Sequence, residues 1–222
     1  MVCRSTRLNC VSSECQTYLA NYEANQMKVG KMPIQLTNKY FEAVEFATKA
    51  HATAVRKQTD IPYICHPLAV SAYVLEAGGD EDQAIGGLLH DVAEDCGGEP
   101  RIDEIRNKFN SRIADIVRGC SDSLEVNPEK KAPWRIRKEH HIAKLATASK
   151  DILIVTAADK LHNARAIATD FQNIGDEIWR RFNSDAESIR WYYQEIYGVL
   201  AERKVTQRLL SPLYSAILIM KG

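Results

Sequence analysis

From Thr37 onward the apolar residues of this chain return at close to 3.6-residue spacing, in segments separated by Pro, Gly and short polar stretches. Alternation of the period-2 kind is absent, and that pairing of facts confines the chain to helix packed on helix. The run Thr37 to Arg56 sets the pattern, with a Thr N-cap and apolar positions at Tyr40, Val44, Ala47, Ala50 and Ala54. Pro62 and Pro67 punctuate a loop, and Pro67 suits the first turn of a second helix ending near Gly78-Gly79. Asp80 with Gln83 reads as a capping pair opening a third helix, which Gly97-Gly98-Glu99-Pro100 must close. Helices are predicted over 102–109, 112–120, 134–148, 152–169, 176–182, 186–203 and 206–220, with Ser184 capping the segment that starts at 186. Ile152-Leu153-Ile154-Val155 is the one β-prone patch, and it sits inside a longer helical period. The fold class is all-α.

Composition narrows the function. The chain has 222 residues, 45% of them hydrophobic, enough to bury a core without disulfide or metal staples. Lys+Arg and Asp+Glu both number 29, so the formal net charge is zero. That balance argues against nucleic acid as a partner and against a polybasic membrane anchor. No apolar stretch approaches the roughly 18 residues of a membrane span, and the N-terminus carries no signal-peptide pattern. The six cysteines, at 3, 10, 15, 65, 96 and 120, form no CxxC pair and read as reduced thiols. A cytoplasmic protein is expected. Residues 1–35 are polar and aperiodic and read as a poorly ordered extension, leaving 36–222 as the domain.

The stretch Ala84 to Asp95 carries the most chemistry. On a helical wheel of about 100° per residue, Ile85, Leu88, Leu89 and Val92 fall in an arc of about 100°. His90, Asp91, Glu94 and Asp95 span about 140° opposite. One reading is a solvated acidic face. The other is a divalent cation relieving the repulsion of three carboxylates with neutral imidazole beside them. Two residues elsewhere favour the second. His66 stands 24 residues before His90 between stiffening prolines, and Asp159 stands in an apolar helical run where burial is costly unless it pairs or binds metal. Asn163 shares its face at i+4.

The order His66, His90-Asp91, Asp159 resembles the H…HD…D signature of the HD-domain phosphohydrolases. More narrowly, Arg56-Lys57, Pro62-Tyr63-Ile64-x-His66-Pro67, Leu88-Leu89-His90-Asp91-Val92-x-Glu94-Asp95 and Ala158-Asp159-Lys160-Leu161-His162-Asn163 resemble the hydrolase domain of the RelA/SpoT family and the small alarmone hydrolases. The resemblance runs from about Tyr40 to Thr169. It implies a compact helical HD-domain bundle binding one Mn²⁺ through His66, His90, Asp91 and Asp159, a shell that also suits Fe²⁺ and leaves Zn²⁺ open. It implies that Glu94 and Asp95 position and activate the attacking water, and that Arg56, Lys57 and Asn163 bind the nucleotide and its phosphates. The implied reaction removes pyrophosphate from the 3′ position of guanosine tetra- or pentaphosphate. The residues left over do not accommodate a second catalytic domain, so alarmone synthesis is not expected.

Departures from that pattern keep two alternatives open: a phosphatase for another nucleotide, such as a mononucleotide or NADPH, and a regulatory module that binds a nucleotide without turning it over. Gly86-Gly87 stands where related domains often have Ala-Ala, at a cost to helix stability. Cys96 replaces a common threonine, and Asp60-Ile61 replaces a glycine. Pro133-Trp134-Arg135 and Trp191-Tyr192-Tyr193 lie outside the resemblance. The basic cluster Lys130, Lys131, Arg135, Arg137 and Lys138 reads as a solvated helix start or as a steering patch for a polyphosphate. Trp191-Tyr192-Tyr193 reads as packing before it reads as a base-stacking surface. His51, His140, His141 and His162 have no required role. The apolar run 216–220 reads as core or as a homo-oligomer contact.

Overall fold

The computed structural model describes residues 34–222. The chain divides into a unit Met1–Gln35 and a unit Leu36–Gly222. The expectation of a poorly ordered extension, and the cysteines at 3, 10 and 15, therefore lie outside the described residues apart from Ile34 and Gln35.

The second unit is helical throughout: α1 (Asn38–Ala50), α2 (Cys65–Glu76), α3 (Glu81–Leu89), α4 (Val92–Cys96), α5 (Glu99–Lys108), α6 (Ser111–Cys120), α7 (Trp134–Leu145), α8 (Lys150–Ile174), α9 (Ala186–Glu202) and α10 (Gln207–Ile219). Short 3₁₀ turns cover Pro128–Lys130 and Gly175–Arg181. Among the described residues the only extended pairing is an isolated bridge between Val55 and Pro62, so the all-α expectation holds.

Local chemistry explains most boundaries. Thr37 caps α1, its side chain accepting from the Lys39 amide. Asp80 and Gln83 form a reciprocal capping box on α3. Four expectations are corrected. The first helix stops at Ala50, six residues before Arg56, because the chain turns at His51 to form the Val55–Pro62 bridge. The third helix is interrupted at His90-Asp91, and separate helices α3 and α4 flank the break. Asp185, rather than Ser184, caps α9 by accepting from the Ser188 amide. The segment near 176–182 is 3₁₀ rather than α.

Two apolar clusters form the core. One joins α1 with α3 to α6 through Ala43, Ala47, Ile85, Leu88, Ile102 and Ile113. The other gathers α2 and α7 to α10 around Val70, Leu145, Leu161, Ile196 and Leu213. Helix α8 packs against α2, α3, α6 and α10 and is buried on several faces at its centre, from Val155 to Asp159. Close approach of these helices accounts for Gly86-Gly87. A Cβ on Gly86 would lie 2.5 Å from Ile116 Cγ2, and one on Gly87 would lie 3.2 Å from the Ser71 backbone. The small residues let α3 sit against α6 and α2, which brings His90 to His66.

Candidate functional site

Three elements meet at the site. The loop after α1 is pinned by Arg56 N–H to Ile61 O at 2.8 Å and Tyr63 N–H to Ala54 O at 2.9 Å. It delivers Arg56 and Tyr63, and His66 follows in the first turn of α2. His90 and Asp91 occupy the break between α3 and α4, and Asp159 comes from the buried middle of α8.

Their donor atoms converge. His66 Nε2 lies 3.2 Å from His90 Nε2, 3.4 Å from Asp91 Oδ2 and 3.2 Å from Asp159 Oδ1. His90 Nε2 lies 3.0 Å from Asp91 Oδ2 and 3.6 Å from Asp159 Oδ1. Donors bound at about 2.1 Å to one ion are separated by about 3.0 Å at octahedral edges and about 3.4 Å at tetrahedral ones. The observed spacings span that range. His66, His90 and Asp91 are also the one group of three or more His, Cys, Asp or Glu donors within 4.8 Å of one another among the described residues. The residues present therefore fit a divalent cation, and their mixed N/O character suits a transition metal.

The neighbours of these donors orient them. His90 Nδ1 lies 2.8 Å from Gly87 O, so its N–H donates there and Nε2 keeps its lone pair for the centre. His66 Nδ1 lies 2.8 Å from His162 Nδ1. Burial, with the His66 imidazole and the Arg56 guanidinium nearby, pushes the His162 imidazole down to about 4, so it is neutral and can accept the His66 N–H. Tyr63 donates its hydroxyl to Asp91 Oδ2 at 2.6 Å. Asn163 Nδ2 donates to Asp159 Oδ1 at 2.6 Å and accepts from Arg56 on its own Oδ1 at 2.7 Å. Burial raises the Asp159 carboxyl, but the Lys160 ammonium, 2.6 Å from its Oδ2, and the two imidazoles outweigh that and hold it well below the usual range.

Glu94 and Asp95 stand one turn beyond Asp91 on α4 and face the same cavity. Burial, then the Asp122 and Asp91 charges, raise Glu94 to about 8, and Glu94 Oε2 accepts from the Asp122 amide at 2.9 Å. Burial and Asp91 raise Asp95 to about 6. Asp122 is clamped by Arg137 and Lys138, whose charges hold it low against burial. Two of the five basic residues around Trp134, Arg137 and Lys138, are thus built into the site rather than solvated. Arg135 instead stacks on Trp191, 3.3 Å from the ring centroid.

A cavity of about 240 Å³ lies over these groups, and a larger one of about 520 Å³ shares Arg56, Tyr63, Lys138, Lys160, Asn163 and Tyr192 with it. Lys57 lines only the larger cavity, where its ammonium donates to Asn183 Oδ1 at 3.0 Å. Seven of the nine residues singled out in the sequence line one or both of these cavities, while His66 and His90 lie beneath them, in contact with Asp91 and Asp159. Sequence reasoning assigned no role to Tyr63, Asp122 or His141 and read Tyr192 as packing before base stacking; all four line the smaller cavity. Tyr63 lay inside a quoted motif; Asp122 and His141 carry no local signal.

The HD-domain family model matches residues 43–205, well over half of the chain. The chain belongs to the HD-domain family. Among curated relatives, the guanosine-3′,5′-bis(diphosphate) 3′-pyrophosphohydrolase of Aquifex aeolicus is 30% identical over 162 residues, covering 72% of this chain and 21% of the relative. The probable enzyme of the same name from Synechocystis is 34% identical over 124 residues, covering 55% and 16%. The chain thus spans about a fifth of the length of these relatives. The solved structure of a metazoan ortholog of SpoT, described as hydrolysing ppGpp, superposes with a TM-score of 0.67 at 23% identity, over 85% of this chain and 98% of the other. It shares the HD-domain fold. Among the described residues no helix is long and apolar enough to cross a membrane.

Proposed function

We propose that this HD-domain chain is a cytoplasmic, Mn²⁺-dependent hydrolase of guanosine 3′,5′-bis-polyphosphates, releasing pyrophosphate from the 3′ position. The observation that carries the proposal is a pair of imidazoles, His66 and His90, each 3.0–3.6 Å from the carboxylates of both Asp91 and Asp159, with Glu94 and Asp95 lining the same cavity as those two carboxylates. The activity for which the matched relatives are named supports the substrate class. His66, His90, Asp91 and Asp159 hold the ion. A bound divalent ion lowers the pKa of water and polarises a phosphoryl oxygen.

The chain's own residues supply the rest. Glu94 and Asp95 orient the attacking water, and the ionised carboxylate of the pair accepts its proton. Water adds to the 3′ phosphorus, the bond from that phosphorus to the ribose 3′ oxygen breaks, and the departing oxygen takes up a proton. Guanosine tetraphosphate thus gives GDP and pyrophosphate. Arg56, held by Asn163, and Lys57 stabilise the phosphoryl charge and seat the nucleotide. The larger cavity, with Ile167, Ile178 and Phe182 in its wall, offers an apolar enclosure for the nucleoside.

The test separates holding the ion from acting beside it. Asp91→Ala should lose Mn²⁺ in equilibrium dialysis and lose turnover of guanosine tetraphosphate together. Glu94→Gln should keep Mn²⁺ while turnover falls by about 10²-fold or more. Full activity in Asp91→Ala would refute the site.

A further inference from the structure

The smaller cavity holds groups that neither the metal donors nor the Glu94/Asp95 pair explain. His141, on α7, is 2% exposed, yet neither ring nitrogen has a hydrogen-bond partner among the described residues. Tyr192, on α9, is 5% exposed, and its hydroxyl is likewise unbonded. Leaving such groups buried and unbonded costs free energy, and native proteins keep the arrangement where it does something else. Both line the cavity together with Asp91 and Asp159.

Two ammonium groups complete the wall. Lys138 Nζ lies 4.9 Å and Lys160 Nζ 5.6 Å from the centroid of the Tyr192 ring. Five carboxylates share this wall: Asp122 is paired with Arg137 and Lys138, Asp159 with Lys160 and the imidazoles, Asp91 with the imidazoles and the Tyr63 hydroxyl, while burial raises Glu94 to about 8 and Asp95 to about 6. Burial and the ammonium charges keep His141 neutral, so it presents one N–H donor and one acceptor. Unpaired N–H and O–H donors beside two cations, next to a cation centre, match an anion rich in acceptor oxygens.

We infer that this chamber receives the distal phosphoryl group of the 3′-diphosphate, and then the pyrophosphate product, with His141, Tyr192, Lys138 and Lys160 as its contacts. The inference rests on the nucleotide reading for the identity of the substrate, while the anion site itself is tested with pyrophosphate alone. The larger cavity takes the nucleoside, so the scissile bond falls within the smaller one, beside Asp91 and Asp159.

The experiment is calorimetric titration of the Mn²⁺-loaded chain with pyrophosphate, corrected for a titration of Mn²⁺ buffer, alongside thermal melting without the anion. Wild type should bind. Tyr192→Phe, which removes one hydroxyl from a packed ring, and His141→Leu should each weaken binding tenfold or more. His141→Leu should melt at the wild-type temperature or above it, because it removes an unbonded polar group from a buried place; a purely structural histidine would lower both together or leave affinity untouched. Wild type that fails to bind, or variants that bind as wild type does, would overturn the inference. If pyrophosphate binds and the variants lose it while guanosine tetraphosphate is never hydrolysed, the chamber stands and the substrate assignment falls. If guanosine tetraphosphate is hydrolysed and both variants match wild type in pyrophosphate affinity, the chamber falls and the substrate assignment stands.

Discussion

Asp91 shows how one side chain is given its orientation by others. Its Oδ2 atom is shared by the centre, 3.0 Å from His90 and 3.4 Å from His66, and it also accepts the Tyr63 hydroxyl at 2.6 Å. Burial alone would favour a neutral carboxyl there, and the His90 and His66 imidazoles reverse that, holding Asp91 well below the usual carboxylate range. Partners of metal-ligating groups set affinity by fixing the lone pair that points at the ion. Tyr63→Phe should therefore keep the fold and weaken Mn²⁺ binding by about 10–100-fold. Calorimetric Mn²⁺ titration reads this directly; an unchanged affinity would mean that Tyr63 only packs.

At the scale of elements, the glycines divide by what surrounds them. Gly86 sits in α3 against Ile116, where a methyl group would overlap. Gly198 sits on the exposed side of α9, where a methyl group meets nothing within 4 Å. Overpacking costs about 1–3 kcal/mol, whereas Ala favours a helix interior over Gly by up to about 1 kcal/mol. Gly86→Ala should lower the melting temperature and Gly198→Ala should raise it slightly. Equal shifts in one direction would contradict the packing described. Helix-level features were largely legible in the sequence. The Asp80–Gln83 capping box and the helical state of Ile152–Val155 are as the pattern implied. The break at His90-Asp91 was not, because the residues on both sides keep helical spacing and periodicity is blind to an interruption that preserves it. The reason for Gly86-Gly87 was likewise hidden, since it lies on α6 and α2 rather than in α3 itself.

Over the whole molecule, the site is a product of convergence from distant parts of the chain. His66, His90-Asp91 and Asp159 were visible because the HD-domain pattern spaces them recognisably. His141 and Tyr192 were not, because nothing near them in sequence distinguishes a lining residue from a core one. Only the packing of α7 on α9, and of α9 on α8, brings them beside the donors. The larger cavity and the polar chamber share six lining residues, and Asp91 and Asp159 line the chamber, an arrangement that suits a nucleoside in the first with its 3′ phosphates in the second. The decisive measurement is product analysis after incubating the metal-stripped chain with guanosine tetraphosphate, with and without Mn²⁺. GDP and pyrophosphate are expected in equal amounts, only when Mn²⁺ is present. Mn²⁺ bound at His66, His90, Asp91 and Asp159 with the nucleotide left intact would contradict it.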